Sequence, residues 1–347
     1  MATIHQIDPN FEVKTKVKQE GLVFRNCLEI PFSIHGLMRE GDRFCRLPFE
    51  TAKNISLPVS WLYANTAGGR VRFRTDSPYV AIHAEFGTLG RFPHFAFSGS
   101  AGFDLYADGC YQGTFMPPID LEGGYESIVN LDGGMHEITV NFPLYSEVKE
   151  LFIGLDENAS LFSPKEYAVK DPVVYYGSSI TQGGCASKPG STYQSILSNR
   201  LDCDYMNFGF SGNAKGEPAM AEYLASLSMS AFVLDYDHNA PTHAHLEETH
   251  GRFFEIMRKA HPNLPILMMT RPVYFRGEWE LGFERIVQNT YETARAAGDE
   301  NVYLLTGDQL MALVQDNGTV DNVHPTDSGF LSMANAIEPV LRKMLGR

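Results

Sequence analysis

A serine hydroxyl becomes a useful nucleophile only beside a base, so serines at strand ends and histidines near a carboxylate come first. Gly177-Ser178-Ser179-Ile180-Thr181 follows the apolar run Val173-Val174-Tyr175-Tyr176 and precedes a helical pattern. Glycine permits a tight turn, and a serine at a helix start lies among outward-pointing N–H groups. A plain helix cap would use the same residue types. Towards the other end of the chain, Asp321-Asn322-Val323-His324-Pro325 places a carboxylate and an imidazole where they can meet within one turn. Asp321 would accept the Nδ1 proton of His324 and leave Nε2 to take a proton from Ser179, the division of labour in a serine triad.

Acyl transfer also needs donors for a developing alkoxide. Asn207-Phe208-Gly209-Phe210-Ser211-Gly212-Asn213 follows a second apolar run, and Asp235-Tyr236-Asp237-His238-Asn239 ends a third. The backbone N–H groups of Ser179 and Gly212 and the side-chain amide of Asn239 could supply such a hole. Taken singly, Gly212 serves equally well as a turn and Asn239 as a helix cap.

These segments need a scaffold that brings them to one edge. From about residue 170, short apolar runs alternate with helical ones, from DPVVYYG through DYMNFGF, SAFVLDYD, LPILMMT and NVYLLTG to the closing SGFLSMANAIEPVLRKML. Five β runs that are apolar throughout specify a parallel sheet covered on both faces. In such sheets functional groups gather beyond the carboxyl ends of the strands. Residues 21 to about 160 read instead as β-structure, with alternating runs around Thr75-Asp76-Ser77-Pro78, Asp108-Gly109 and Asp132-Gly133-Gly134. Asp-Gly between alternating runs predicts hairpins, and repeated short strands predict a sandwich or jelly roll. No helical periodicity of useful length is visible there. The expected division is residues 1–165 as an all-β accessory domain and 166–347 as the catalytic domain, with a polar joint at ENASLFSPKEY.

The ordered set of GSSIT, the glycine of NFGFSGN, a strand-end asparagine and DNVHPT resembles the four blocks of the SGNH (GDSL-like) hydrolase superfamily. The resemblance covers residues 170–347. It implies a flavodoxin-like three-layer α/β/α sandwich, Ser179 as nucleophile, His324 as base and Asp321 as its partner. It also implies an oxyanion hole of Ser179, Gly212 and Asn239, and no cofactor. Two blocks depart from the pattern: Ser178 stands where an Asp usually precedes the nucleophile, and Asp237-His238-Asn239-Ala240 replaces G-x-N-D. Gly102-Phe103-Asp104-Leu105-Tyr106 resembles the GxDLY motif of a β-domain that precedes such esterases, although an alternating strand explains the same residues.

Other residues admit two readings. His238 adjoins Asn239 and so falls at the rim of the expected site. Arg271, after the fourth strand, could touch substrate or pair with an acid, and Trp279 could stack on a sugar or pack its loop. In the stretch that holds His238, His243, His245, Glu247, Glu248 and His250, the pair His243-x-His245 could share an edge of a metal ion, but no third-ligand pattern accompanies it, so no metal is expected. Cys185 lies just beyond the serine segment, where a loop thiol is a simpler reading than a catalytic one. The five cysteines are odd in number and lack a CxxC pair, against a disulfide framework.

The net charge of −14 over 347 residues disfavours nucleic acid and anionic membranes. Arg70, Arg72 and Arg74 alternate with Val71 and Phe73 as on a solvent-facing strand. No secretory leader is visible in MATIHQIDPNFEVK, so a cytoplasmic location is expected; a homo-oligomer is left open. The expected activity is hydrolysis of small acyl esters, O-acetyl groups on sugars or oligosaccharides in the first place, since a β-domain ahead of such a triad resembles carbohydrate esterases. Alternatives are acyl transfer from the same acyl-enzyme, a lipase or thioesterase, and a carbohydrate-binding protein with a dead hydrolase domain.

Overall fold

The computed structural model describes residues 16–347; the MATIHQIDPNFEVK segment lies outside them. In the amino-terminal half two antiparallel sheets face each other. One runs Leu22–Asn26, Val148–Asp156, Tyr79–Phe86, Gly124–Asn130 in spatial order. The other runs Leu161–Phe162, Arg70–Thr75, His136–Asn141, Phe103–Ala107, Cys110–Phe115, with Ser33–His35 added to Arg70–Thr75. Alternate residues, among them Val71, Phe73, Ile82, Leu105, Val140 and Ile153, meet in one core. Short helices at Phe49–Ile55, Leu57–Leu62 and Phe97–Ser100 interrupt the β-structure, too brief to leave a periodic signature.

Only one of the three expected hairpins forms as such. Phe103–Ala107 and Cys110–Phe115 pair across Asp108 and Gly109, both at positive φ. The turns at residues 76–78 and 131–135 instead carry the chain from one sheet to the other: Arg70–Thr75 pairs with His136–Asn141, whereas Tyr79–Phe86 pairs with Gly124–Asn130. Alternation shows that each strand has one buried face. It does not distinguish a neighbour beside the strand from one across the core.

The carboxyl-terminal half holds a parallel sheet in the order Cys203–Gly209, Val169–Gly177, Ala231–Asp235, Ile266–Met269, Val302–Leu305. In chain order this is 2-1-3-4-5, the flavodoxin-like arrangement. Val174 and Tyr176 face a core shared with Met220, Leu224, Leu246, Phe253 and Val287 of one helical layer. Val173 and Tyr175 face Tyr193, Leu197, Phe330, Met333 and Leu341 of the other. Both faces are covered, which is why the strands read as apolar throughout. Among the described residues no helix is long and apolar enough to cross a membrane.

The arginine face of Arg70–Thr75 is not solvated at its start. Arg70 and Arg72 are 2% and 5% exposed. Arg70 pairs with Asp204, donates to Tyr205 O at 3.1 Å and lies over the Tyr205 ring. Arg72 reaches Glu137 at 3.2 Å and lies over Tyr167. Arginine alternation thus marks the junction between the two halves, where guanidinium groups meet carboxylates, carbonyls and aromatic faces.

Candidate active site

Gly177 ends the first parallel strand where a side chain cannot fit: a Cβ there would fall 2.2 Å from Asp235 O. The chain turns at once into the single-turn helix Ser179–Gln182. Ser178, not Ser179, caps it, accepting from Ile180 N–H at 3.1 Å. The two adjacent serines therefore divide the work, and the Ser179 hydroxyl is left for another partner. Gln182 braces the turn, accepting from Ser211 N–H at 3.0 Å and donating to Asn65 Oδ1 and Leu144 O.

That partner is His324. Ser179 Oγ lies 2.9 Å from His324 Nε2, and His324 Nδ1 lies 2.8 Å from Asp321 Oδ2. The loop folds back on itself because Asn322 adopts φ +65°, while Val323 N–H and His324 N–H both donate to Asp321 Oδ1. Burial raises the Asp321 pKa, but the hydrogen bonds from His324 and Val323 outweigh it and hold the carboxyl below its usual range. The carboxylate is thereby fixed twice, by backbone and by imidazole.

The segments expected to bind an oxyanion open on the same edge. Gly212 takes φ +70°, and the space where its Cβ would lie is open. Asn239 ends the short helical turn Asp237–Asn239 and accepts from Ala214 N–H at 3.2 Å through Oδ1. That bond ties the Asn239 turn to the Gly212 loop and directs the amide nitrogen away from Ala214.

Arg271 takes up the second of its two readings. Its Nη2 donates to Asp237 O at 2.8 Å, its Nε to Asp237 Oδ2 at 3.3 Å, and its guanidinium lies over Phe283. It therefore braces the turn that carries His238 and Asn239. Trp279 packs on His243 and Phe283 while staying half exposed. His238 is pushed down to about 3, first by burial and then by the charges of Arg271 and His324, so its imidazole is neutral. His243, His245 and His250 are dispersed onto Trp279 O, Lys215 O and Thr290 Oγ1 respectively.

Sequence reasoning missed what the amino-terminal half brings. Tyr145 OH donates to Ser179 O at 3.0 Å. His94 and Phe95 stand beside His324, with ring centroids at 5.6 and 5.9 Å, and Phe95 packs on Tyr145. His94 Nε2 lies 3.8 Å from Asp321 Oδ2. The signal was present in Gly87-Thr-Leu-Gly-Arg-Phe-Pro-His-Phe, a glycine- and proline-containing loop with more aromatic residues than a surface connection needs.

A 2-1-3-4-5 parallel sheet with reactive side chains at its carboxyl edge and an antiparallel β-domain ahead of it defines an SGNH-type carboxylic ester hydrolase. The chain belongs to the GDSL-like lipase/acylhydrolase family, whose model matches residues 170–342. The GxDLY model, describing the N-terminus of SGNH-type esterases, matches residues 22–161. Among curated proteins there is no sequence match.

Solved structures are similar over nearly the whole length. A protein from Bacteroides ovatus named as a GDSL-like lipase is 28% identical with a TM-score of 0.84, covering 94% of this chain and 98% of its own. A salicylyl-acyltransferase from a tetracycline biosynthetic pathway is 20% identical with a TM-score of 0.77 over the same shares. A family two carbohydrate esterase from Cellvibrio japonicus is 12% identical with a TM-score of 0.64, again over 94% and 98%. The last two likenesses concern the fold alone.

Proposed function

We propose that the protein is a serine esterase that removes small acyl groups, O-acetyl in the first place, from sugars or oligosaccharides. The observation that carries the reading is the unbroken line from Ser179 Oγ through the His324 imidazole to Asp321, with links of 2.9 and 2.8 Å. In the proposed reaction Ser179 Oγ attacks the ester carbonyl as His324 Nε2 takes its proton. The tetrahedral oxyanion rests on Ser179 N–H, Gly212 N–H and the Asn239 amide. His324 returns the proton to the departing sugar oxygen, leaving acyl-Ser179. Water, deprotonated by the same imidazole, then releases the acid and restores the serine.

A sugar is favoured over a long acyl chain by the wall beside the imidazole. Phe92, His94 and Phe95 offer flat aromatic faces suited to a pyranose ring. The test is acetate release across a panel of acetylated oligosaccharides, with fluorophosphonate labelling of Ser179 as the companion measurement. Release from none of the panel together with fast hydrolysis of long-chain esters would replace the sugar by a lipid.

A second reading is acyl transfer. The same aromatic wall, with Tyr145 buried behind it, shields the serine from solvent and would let an alcohol compete with water for the acyl-enzyme. Partition of the acyl group between water and added alcohols separates the two.

A further inference from the structure

We propose that His94, Cys185 and His324 form a site for a thiophilic divalent cation, zinc in the first place, whose occupation switches the esterase off. The inference rests on the reading of His324 as the base. One ligand atom from each of the three side chains falls within 4.8 Å of the others. Two imidazoles and a thiol are a zinc donor set, leaving the fourth tetrahedral position to water.

Three further features suit an ion. First, His324 Nδ1 is bonded to Asp321 at 2.8 Å. A carboxylate behind the distal nitrogen is the arrangement that orients a metal-binding imidazole and raises its basicity. The pairing that prepares His324 as a base prepares it equally as a ligand. Second, Cys185 holds φ +72°, a conformation uncommon for a residue with a side chain. It follows Gly184, whose N–H donates to Ser179 O at 2.8 Å and whose Cβ position would lie 3.1 Å from His324 Cδ2. The segment is pressed flat against the serine and histidine, which brings the thiol to them. Third, His94 is exposed and Cys185 and His324 are half-buried, so an ion has a route in from solvent.

Zinc bonds of about 2.0–2.3 Å bring ligand atoms roughly 3.3–3.8 Å apart, so the trio, already within 4.8 Å, closes by no more than about 1–1.5 Å on binding. His94 is the exposed member of the trio. On binding, the Cys185 S–H proton goes to solvent and the thiolate takes the ion. The His324 Nε2 lone pair, which otherwise accepts from Ser179 O–H, is given to the metal. No oxidation state changes. Ser179 keeps its proton and has no base.

The experiment uses the full chain in a buffer that does not bind metals. Zinc chloride is titrated against hydrolysis of p-nitrophenyl acetate, and Co²⁺ is titrated while the thiolate-to-cobalt absorption is followed. Wild type should be inhibited reversibly, with recovery on adding a chelator, and should show the thiolate band. Cys185→Ala should keep the metal-free rate, lose the band and need at least about tenfold more zinc for half inhibition. His94→Ala should shift the zinc titration in the same direction, and Ser179→Ala, inactive but with all three ligands, should still show the band. Equal zinc sensitivity in wild type and Cys185→Ala, or no thiolate band in wild type, overturns the site. If the band is absent while Ser179→Ala is inactive, the metal inference alone fails. If the band forms and hydrolysis continues at saturating metal, His324 is not a ligand and the switch is overturned, while the reading of His324 as base is untouched.

Discussion

The hydroxyl of Tyr145 donates to the backbone carbonyl of Ser179 at 3.0 Å, so a side chain from the amino-terminal half holds the turn that carries the serine. Tyr145 is buried, and its phenol is pushed above its ordinary pKa, chiefly by that burial. It remains a donor at any pH at which the protein would be assayed. Removing the hydroxyl alone should loosen the turn without opening a cavity. Tyr145→Phe is expected to lower kcat/KM by roughly tenfold or less, the equivalent of one buried hydrogen bond of about 1 kcal/mol. Steady-state kinetics on an acetyl ester would check it; an unchanged kcat/KM means the bond does not steady the serine.

Substitution along the Ser179–His324–Asp321 line should be graded. Ser179→Ala and His324→Ala are each expected to cost on the order of 10⁴-fold or more in kcat, and the double variant little beyond either one, because residues acting as a unit are not additive. Asp321→Asn should hurt less than His324→Ala. Single-turnover rates with p-nitrophenyl acetate rank the variants, and the reverse order would point to another carboxylate.

Asn239→Ala tests the least family-like block of the site. With its Oδ1 tied to Ala214, the amide nitrogen is the group available for an oxyanion. The expected loss is about 10²–10³ in kcat with KM nearly unchanged, the mark of an interaction made only in the transition state. A change in KM alone would make Asn239 a binding residue instead.

Acid stability follows from His250. Burial pushes its imidazole from 6.5 down to about 3, with Thr290 Oγ1 2.9 Å from Nδ1. Below pH 6.5 the unfolded chain takes up a proton that the folded chain refuses. Stability is therefore whole above that value and declines as pH falls towards 3, by up to about 1.4 kcal/mol per pH unit. Urea unfolding of wild type and His250→Asn between pH 7 and 4 would check it. The variant should be less stable at neutral pH and show a flatter slope; parallel curves would assign the acid sensitivity elsewhere.

Arg70→Met probes the junction between the halves. It leaves the Asp204 carboxylate with the His35 imidazole as its remaining side-chain partner, 2.9 Å away. Breaking a buried pair from one side is expected to cost about 3–5 kcal/mol. Urea unfolding monitored by fluorescence and circular dichroism would report the loss, and a change below about 1 kcal/mol would show that Asp204 finds water instead.

The parallel sheet and the serine, histidine and aspartate at its edge were legible because each strand is buried on both faces, Ser179 sits where a strand ends, and Asp321 and His324 sit in the turn ahead of the last helix. The choice between cap and nucleophile was not legible, since Ser178 and Ser179 are chemically alike and only geometry separates their tasks. The sheet-to-sheet crossings at residues 76–78 and 131–135 were hidden for another reason: alternation records burial, not the direction of the neighbour. Arg70 and Arg72 misled because a guanidinium buried against Asp204, Tyr205 or Tyr167 is spaced as one in water is. His94, Phe95 and Tyr145 lay far in sequence from Ser179, and no local pattern says which loop of a sandwich will lean over a distant strand end.

The loop bearing Phe92, His94 and Phe95 leaves one strand of the sandwich after Phe86 and reaches the short helix at Phe97. The carboxyl-terminal segments that bring in Ser179 and His324 take no part in its backbone. The side chains that wall the His324 imidazole and those that form the Ser179–His324–Asp321 line are thus carried on separate stretches of polypeptide. Grafting a loop of different length or composition between Phe86 and Phe97 offers a way to redirect selectivity while leaving the chemical apparatus in place.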